Sequence, residues 1–220
     1  MTVPLTIDDK LTDTLSDGIK TLGLTLSTSQ QKKLLAYLAL MIKWNHTYNL
    51  TALRDPAQMM THHLLDALAA VKVFQDATNV LDVGSGGGLP GIVLAIWAAE
   101  ACPLMHVSMI DTVRKKTAFL TQVKAELQLS NISIYTARIE QLQLEQRFDV
   151  ITARAFSGLD DLVNWSQHLL QTGGYYIAMK GIIPRDEIAR LPDGWRVQQA
   201  KALQVPGLDA ERHLIFIERC

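Results

Sequence analysis

Only two cysteines occur in 220 residues, Cys102 and Cys220, far apart in the chain and outside any Cys/His cluster that would make a full metal-ligand set. A disulfide framework and a zinc site are therefore not expected, and both residues read as plain thiols. Long apolar runs are missing too: a run such as Ile92 to Ala99 falls far short of the ~20 residues that span a bilayer. No apolar stretch follows a basic start, so no leader or membrane contact is expected and the cytoplasm is the expected compartment. Charge of one sign is not in excess, since 21 Lys and Arg face 22 Asp and Glu for a net charge of −1. Composition alone thus announces no nucleic-acid partner. Repeats and low-complexity segments are absent as well. With 48% hydrophobic residues the chain can bury a full core as one domain, or as one domain with an extension.

What the chain does have is a glycine turn fed by a buried strand. The stretch Val80-Leu81-Asp82-Val83-Gly84-Ser85-Gly86-Gly87-Gly88-Leu89-Pro90-Gly91 opens on an apolar run suited to a parallel strand covered on both faces, and Ile92 to Trp97 reads as the packed face of a helix. Gly84, Gly86 and Gly88 let backbone and ligand approach where a Cβ would collide. A dinucleotide loop spaces its glycines G-x-G-x-x-G and places an acid about 20 residues on. Here the rhythm is G-x-G-x-G, Asp82 precedes the first glycine by two residues, and Asp111 closes the next strand-like run, Met105 to Ile110. This pattern resembles the S-adenosylmethionine loop of class I methyltransferases. The resemblance implies that Asp111 bonds the ribose hydroxyls and Asp82 helps place the methionine part of the cofactor. An NAD-dependent oxidoreductase is the alternative from another class, weakened by the glycine rhythm. A cofactor-binding module without catalysis is a third.

Ser27 and Thr28 precede Gln30 and Gln31 at capping-box spacing, and Leu34, Leu35, Leu38, Met41 and Ile42 follow with helical period. A turn over 45–55 leads to a second helical pattern, so residues 1–75 are expected to form a helical extension and 76–220 the main domain. From there strands are predicted over 80–84, 104–110, 132–136, 147–152 and 174–180, with helices over 90–100, 112–128 and 159–171. The alternation argues for an α/β doubly wound, mostly parallel sheet, closed by a hairpin-like pair at Trp195-Arg196-Val197 and His213 to Ile217. Ligands of such sheets collect beyond the carboxyl ends of the strands. Five strand ends qualify: Gly84 to Leu89, Asp111, Arg138-Ile139-Glu140, Arg154-Ala155-Phe156 and Lys180-Gly181.

These motifs, with Lys43-Trp44-Asn45, Tyr48-Asn49-Leu50-Thr51, Arg54-Asp55, His63-Leu64-Leu65-Asp66 and Glu211-Arg212-His213-Leu214, closely resemble the RsmG (GidB) family from about residue 30 onward. That family modifies one guanine at N7 in 16S ribosomal RNA. The resemblance implies a class I (Rossmann-like) fold with a seven-stranded sheet and S-adenosyl-L-methionine as cofactor. It implies 16S ribosomal RNA as substrate, possibly in the small ribosomal subunit, and the chain is expected to be a monomer. Carried over by position, the cofactor contacts fall on Gly84, Leu89, Ile139, Glu140 and Arg154. Many relatives have Pro where this chain has Gly87, which loosens the unbound loop without removing a donor.

Guanine N7 carries an in-plane lone pair and no proton, so no general base is needed, and positioning supplies roughly 7–11 kcal/mol of the barrier reduction. Arg138 and Arg154 are expected to clamp phosphates or the cofactor carboxylate away from the ring, the guanidinium fork being suited to both, and Lys180 to reach RNA phosphate. Other nucleic-acid methylations fit poorly. Exocyclic amine methylation commonly uses an Asn/Asp-Pro-Pro-aromatic loop where this chain reads Ala153-Arg154-Ala155-Phe156, and pyrimidine C5 methylation needs a thiolate where only Cys102-Pro103, in reverse order, is found. Cys102 is expected to be packed. Phe156 is open between stacking on the base and packing in the core, and His213 and His63 are expected as structural histidines, with His62 exposed.

Overall fold

A computed structural model describes residues 8–220 of the chain. Asp8 caps α1 (Asp9–Thr21) by accepting from the Leu11 N–H. The predicted capping box is formed at α2 (Thr28–Tyr48), where Ser27 and Gln30 bond each other's backbone N–H groups. The helix runs to Tyr48, past the turn expected from Asn45 onward. Asp55 and Pro56 then start α3 (Pro56–Met59), which widens into a π turn over Met60–Leu65 and continues as α4 (Asp66–Ala70). Such π turns concentrate at functional sites, because the extra residue redirects a side chain.

The sheet comprises β1 (Asn79–Val83), β2 (His106–Asp111), β3 (Ile132–Thr136), β4 (Phe148–Arg154), β5 (Leu170–Lys180), β6 (Trp195–Ala202) and β7 (His213–Arg219). The strand order is β3-β2-β1-β4-β5-β7-β6, parallel from β3 to β5, with β7 antiparallel to both its neighbours. The helices between strands are α5 (Gly91–Ala101), α6 (Arg114–Glu126), α7 (Leu159–Ser166) and the short α8 (Arg185–Ala189). Order reverses between β1 and β4, which opens a crevice beyond their carboxyl ends.

Two apolar layers cover the sheet. On one side α1, α2, the 56–74 segment, α5 and α6 share a single cluster that includes Leu15, Leu38, Leu64, Ile92 and Phe119. On the other, α7 packs with Phe148, Tyr176, Trp195 and Ile217. Gln30 ties the layers of helix together, its Nε2 donating to the Ile96 and Trp97 carbonyls of α5 at 2.9 Å. One boundary departs from the sequence expectation: the helix predicted to reach 171 ends at Ser166, tightens to a 3-10 turn over Gln167–Leu169, and gives way to β5 at Leu170.

Candidate active site

Two cavities open at the crevice. The larger, about 590 Å³, is walled by the glycine loop, the π turn and the ends of β4 and β5. The smaller, about 410 Å³, lies between the ends of β2, β3 and β4 and includes Asp111, Ile139 and Glu140 in its wall. Gly84, Lys116 and Ala155 belong to both. Gly84 and Gly86 adopt φ of +66° and +56°, the left-handed region open to glycine at little cost. Gly88 has φ +92°, but its missing Cβ would lie 2.6 Å from Ile92 Cγ1 and 2.7 Å from Leu120 Cδ2, so it serves close packing of the loop on α5 and α6 and lines neither cavity.

Asp111 bonds the loop directly, accepting from the Gly86 N–H at 3.0 Å and the Val113 N–H at 2.8 Å, with Lys116 Nζ at 3.5 Å. Asp82 lies under the loop rather than in a cavity wall. One carboxylate oxygen accepts from the Gly91 N–H at 2.9 Å and the other is buried without a partner. Burial pushes its pKa up to about 7. From the helical side, the Tyr37 hydroxyl donates to the Gly87 carbonyl at 2.5 Å, so α2 supports the loop from beneath.

The larger cavity's back wall is a charged clasp. Asp66, the first residue of α4 directly after the π segment, is 1% exposed. Its oxygens accept from Arg154 at 3.0 Å and Arg212 at 2.8 Å. Arg154 also donates to the His62 carbonyl at 3.0 Å. His63 is held by the Thr51 hydroxyl at 2.9 Å and by the His62 carbonyl at 3.1 Å. Burial first, and then the Arg154 guanidinium, pushes the His63 pKa down to about 4, so the imidazole is neutral.

The structure thus brings Gly84, Gly86, Leu89, Arg154 and Lys180 to the larger cavity and Asp111, Arg138, Ile139 and Glu140 to the smaller one. Arg138 is exposed and paired with Glu140 at 3.2 Å. Lys180 is held by Glu187 at 2.8 Å, a carboxylate that also caps α7 through the Leu159 N–H. Phe156 is half-buried edge-on to Trp165, with ring centroids 5.7 Å apart, in the wall of the smaller cavity. His213 bonds the Gly181 carbonyl at 2.7 Å and joins β7 to the end of β5. The thiol of Cys102 donates to the Gln75 carbonyl at 3.3 Å, away from both cavities. Sequence reading assigned no role to Asp66, Arg212 or Tyr37. The signal was a buried-type run, His63 to Asp66, ending in an acid that needs a cationic partner.

The family model described as rRNA small subunit methyltransferase G matches residues 30–215. The chain belongs to the rRNA small subunit methyltransferase G family. Among curated members, ribosomal RNA small subunit methyltransferase G of Janthinobacterium sp. (strain Marseille) is 68% identical, the match covering 95% of each chain. That of Herminiimonas arsenicoxydans is 66% identical over 95% of this chain and 96% of the relative. Solved structures share the fold at low identity. A putative O-methyltransferase from Klebsiella pneumoniae gives a TM-score of 0.57 at 13% identity over 96% of this chain and 97% of its own. An S-adenosylmethionine-dependent methyltransferase from Aquifex aeolicus gives 0.57 at 18% identity, covering 77% of this chain and 96% of that one. Membership makes this chain an S-adenosylmethionine-dependent methyltransferase with a class I fold, and the dinucleotide oxidoreductase alternative is set aside. The residues fit the methyltransferase G cofactor on a feature of the loop itself. Gly84 and Gly86 bend the backbone into a cradle at the larger cavity that side chains would fill, and Asp111 pins it from the smaller one.

Proposed function

We propose that this chain methylates N7 of one guanine in 16S ribosomal RNA, acting as a monomer in the cytoplasm on RNA carried by the small ribosomal subunit. The helical extension would work as one unit with the methyltransferase domain. The cavity pair sharing Gly84 supports this reading: one chamber suits an adenosine, with an apolar Ile139 wall and the acids Asp111 and Glu140, and the other is large enough for a purine. When bound, S-adenosylmethionine supplies a sulfonium methyl that a lone pair can accept without a base. Two groups of the larger cavity that could take a proton are committed elsewhere: both Asp66 oxygens to arginines, both His63 nitrogens to Thr51 and the His62 carbonyl. That arrangement suits a ring nitrogen, which has no proton to lose.

The chain's own work is then to orient and to exclude water. Arg154 and Arg212 share one carboxylate, which offsets part of their field beside a base that becomes cationic as the methyl arrives. Asp82 and Asp111 hold the glycine loop from below and from the side. The deciding measurement is labelled methyl transfer to small subunits from a strain lacking this gene, with the product base identified by mass spectrometry. N7-methylguanine at a single position is expected. Methylation of another atom, or no transfer by a protein that binds adenosylhomocysteine tightly, would reject the substrate assigned here.

A further inference from the structure

The net charge of −1 conceals a partition. Residues 28–54 contain Lys32, Lys33, Lys43 and Arg54 and no Asp or Glu, while α1 carries Asp9, Asp13 and Asp17 against Lys10 and Lys20. The exposed side chains of Lys43, His46 and Arg54 line one open groove of about 830 Å³ between the end of α2 and the start of α3, floored by Ile42 and Met59. Among the described residues neither Lys43 nor Arg54 pairs with a carboxylate. Arg54 is held in place by neutral groups, donating to the Asn45 carbonyl at 2.9 Å and to the Asn49 side chain. The adjacent acid, Asp55, is turned to the N-terminus of α3, where it accepts from the Ala57 and Gln58 N–H groups. Arg54 is thus held without an anion, and beside it the exposed Lys43 is unpaired, so both are open to an anion from outside.

The groove shares a wall with the larger cavity. Asn45 lines the groove and accepts from the Thr51 N–H at 2.8 Å, and Thr51 lines the cavity. The groove is therefore within reach of the sugar-phosphate of a base seated in the cavity, across one shared wall. At the same end of α2, Tyr48 is 42% exposed and lies 4.8 Å from the Trp44 ring, an aromatic face open to solvent.

The geometry points to this groove as the docking surface for the phosphodiester backbone flanking the target guanine. Lys43, His46 and Arg54 meet phosphates there, and Tyr48 stacks on a neighbouring unpaired base. The inference rests on the reading of the chain as an RNA methyltransferase. It explains how a chain without net positive charge holds RNA: affinity follows local charge, and exposed charges farther away than about 8 Å are largely screened at physiological salt.

The test uses the full-length enzyme and unmethylated small subunits. Lys43→Glu and His46→Ala, both on exposed positions of α2, are compared with Lys10→Glu on acid-rich α1. Expected is a rise in KM for the subunit of about tenfold for Lys43→Glu, with kcat and adenosylhomocysteine affinity held. The slope of log KM against log salt should be shallower by about 0.7–0.9 for each phosphate that the variant no longer neutralises. Lys10→Glu should leave both at parental values. In a Cys102→Ala, Cys220→Ser background, Lys43→Cys carrying a thiol-linked photo-crosslinker should give an RNase-sensitive adduct with 16S RNA. Unchanged KM and salt slope would overturn the surface, as would an adduct with a ribosomal protein instead of RNA. A parent enzyme that methylates nothing on the subunit would instead sink the substrate reading, which separates the two failures.

Discussion

Asp82 and His63 titrate in opposite senses for the same reason, since burial opposes charge on each. His63 falls to about 4 in the folded chain. Between there and its ordinary value of 6.5 the unfolded chain binds a proton that the folded one refuses, so its contribution to stability is lost as pH falls through this window. Asp82 rises to about 7 from 3.8. The folded chain then holds a proton that the unfolded one has released, so its contribution is full below 3.8 and lost as pH rises toward 7. Each slope is at most roughly 1.4 kcal/mol per pH unit, and over pH 4–6.5 the two oppose. We expect Asp82→Asn to make urea-derived stability drop more steeply than the parent's on acidification through that range, and His63→Gln to do the reverse; three parallel curves would refute both assignments. Asp66→Asn should cost about 3 kcal/mol, because two partly buried guanidiniums lose their carboxylate, measured as a lower urea midpoint with unchanged slope. None of the clasp was legible in the sequence as a contact. Its partners stand 88 and 146 residues from Asp66, and no local period reports a pairing at such range.

Among elements, the glycine loop was legible because its chemistry is local: strand, turn and helix adjoin in sequence, and each glycine's neighbours limit its conformation. What the spacing could not tell was which glycine does what. The structure separates them. Gly86→Ala should cost roughly 1 kcal/mol of stability, the left-handed penalty for a side chain with open space around it, yet weaken cofactor binding strongly. Gly88→Ala adds overpacking against Ile92 and Leu120 to the same penalty, for about 2–4 kcal/mol in all. Thermal unfolding with and without adenosylhomocysteine distinguishes them; equal melting temperatures for the two variants would contradict the division. The end of α7 was less legible. Leu169 and Leu170 continue an apolar pattern that serves a helix or a strand alike, and the pairing of Leu170 with Phe148 decides for the strand.

For the whole molecule, the alternation of strands and helices specified a parallel sheet and its active edge, while the placement of the helical segment was beyond local patterns. Leu15 and Leu38 on the helices and Ile92 and Phe119 around the sheet belong to one apolar cluster. The segment and the sheet should therefore unfold together. Single-tryptophan variants keeping only Trp44 or only Trp195 should show coincident urea transitions, and a separate early loss at Trp44 would mark the helical segment as an independent unit. The Asp66 clasp has a consequence in the order of synthesis. Arg212 is made 146 residues after Asp66, so a growing chain has its glycine loop and Arg154 before it has the second guanidinium. Until Arg212 emerges, Asp66 is only half neutralised and the cavity's back wall is unfinished.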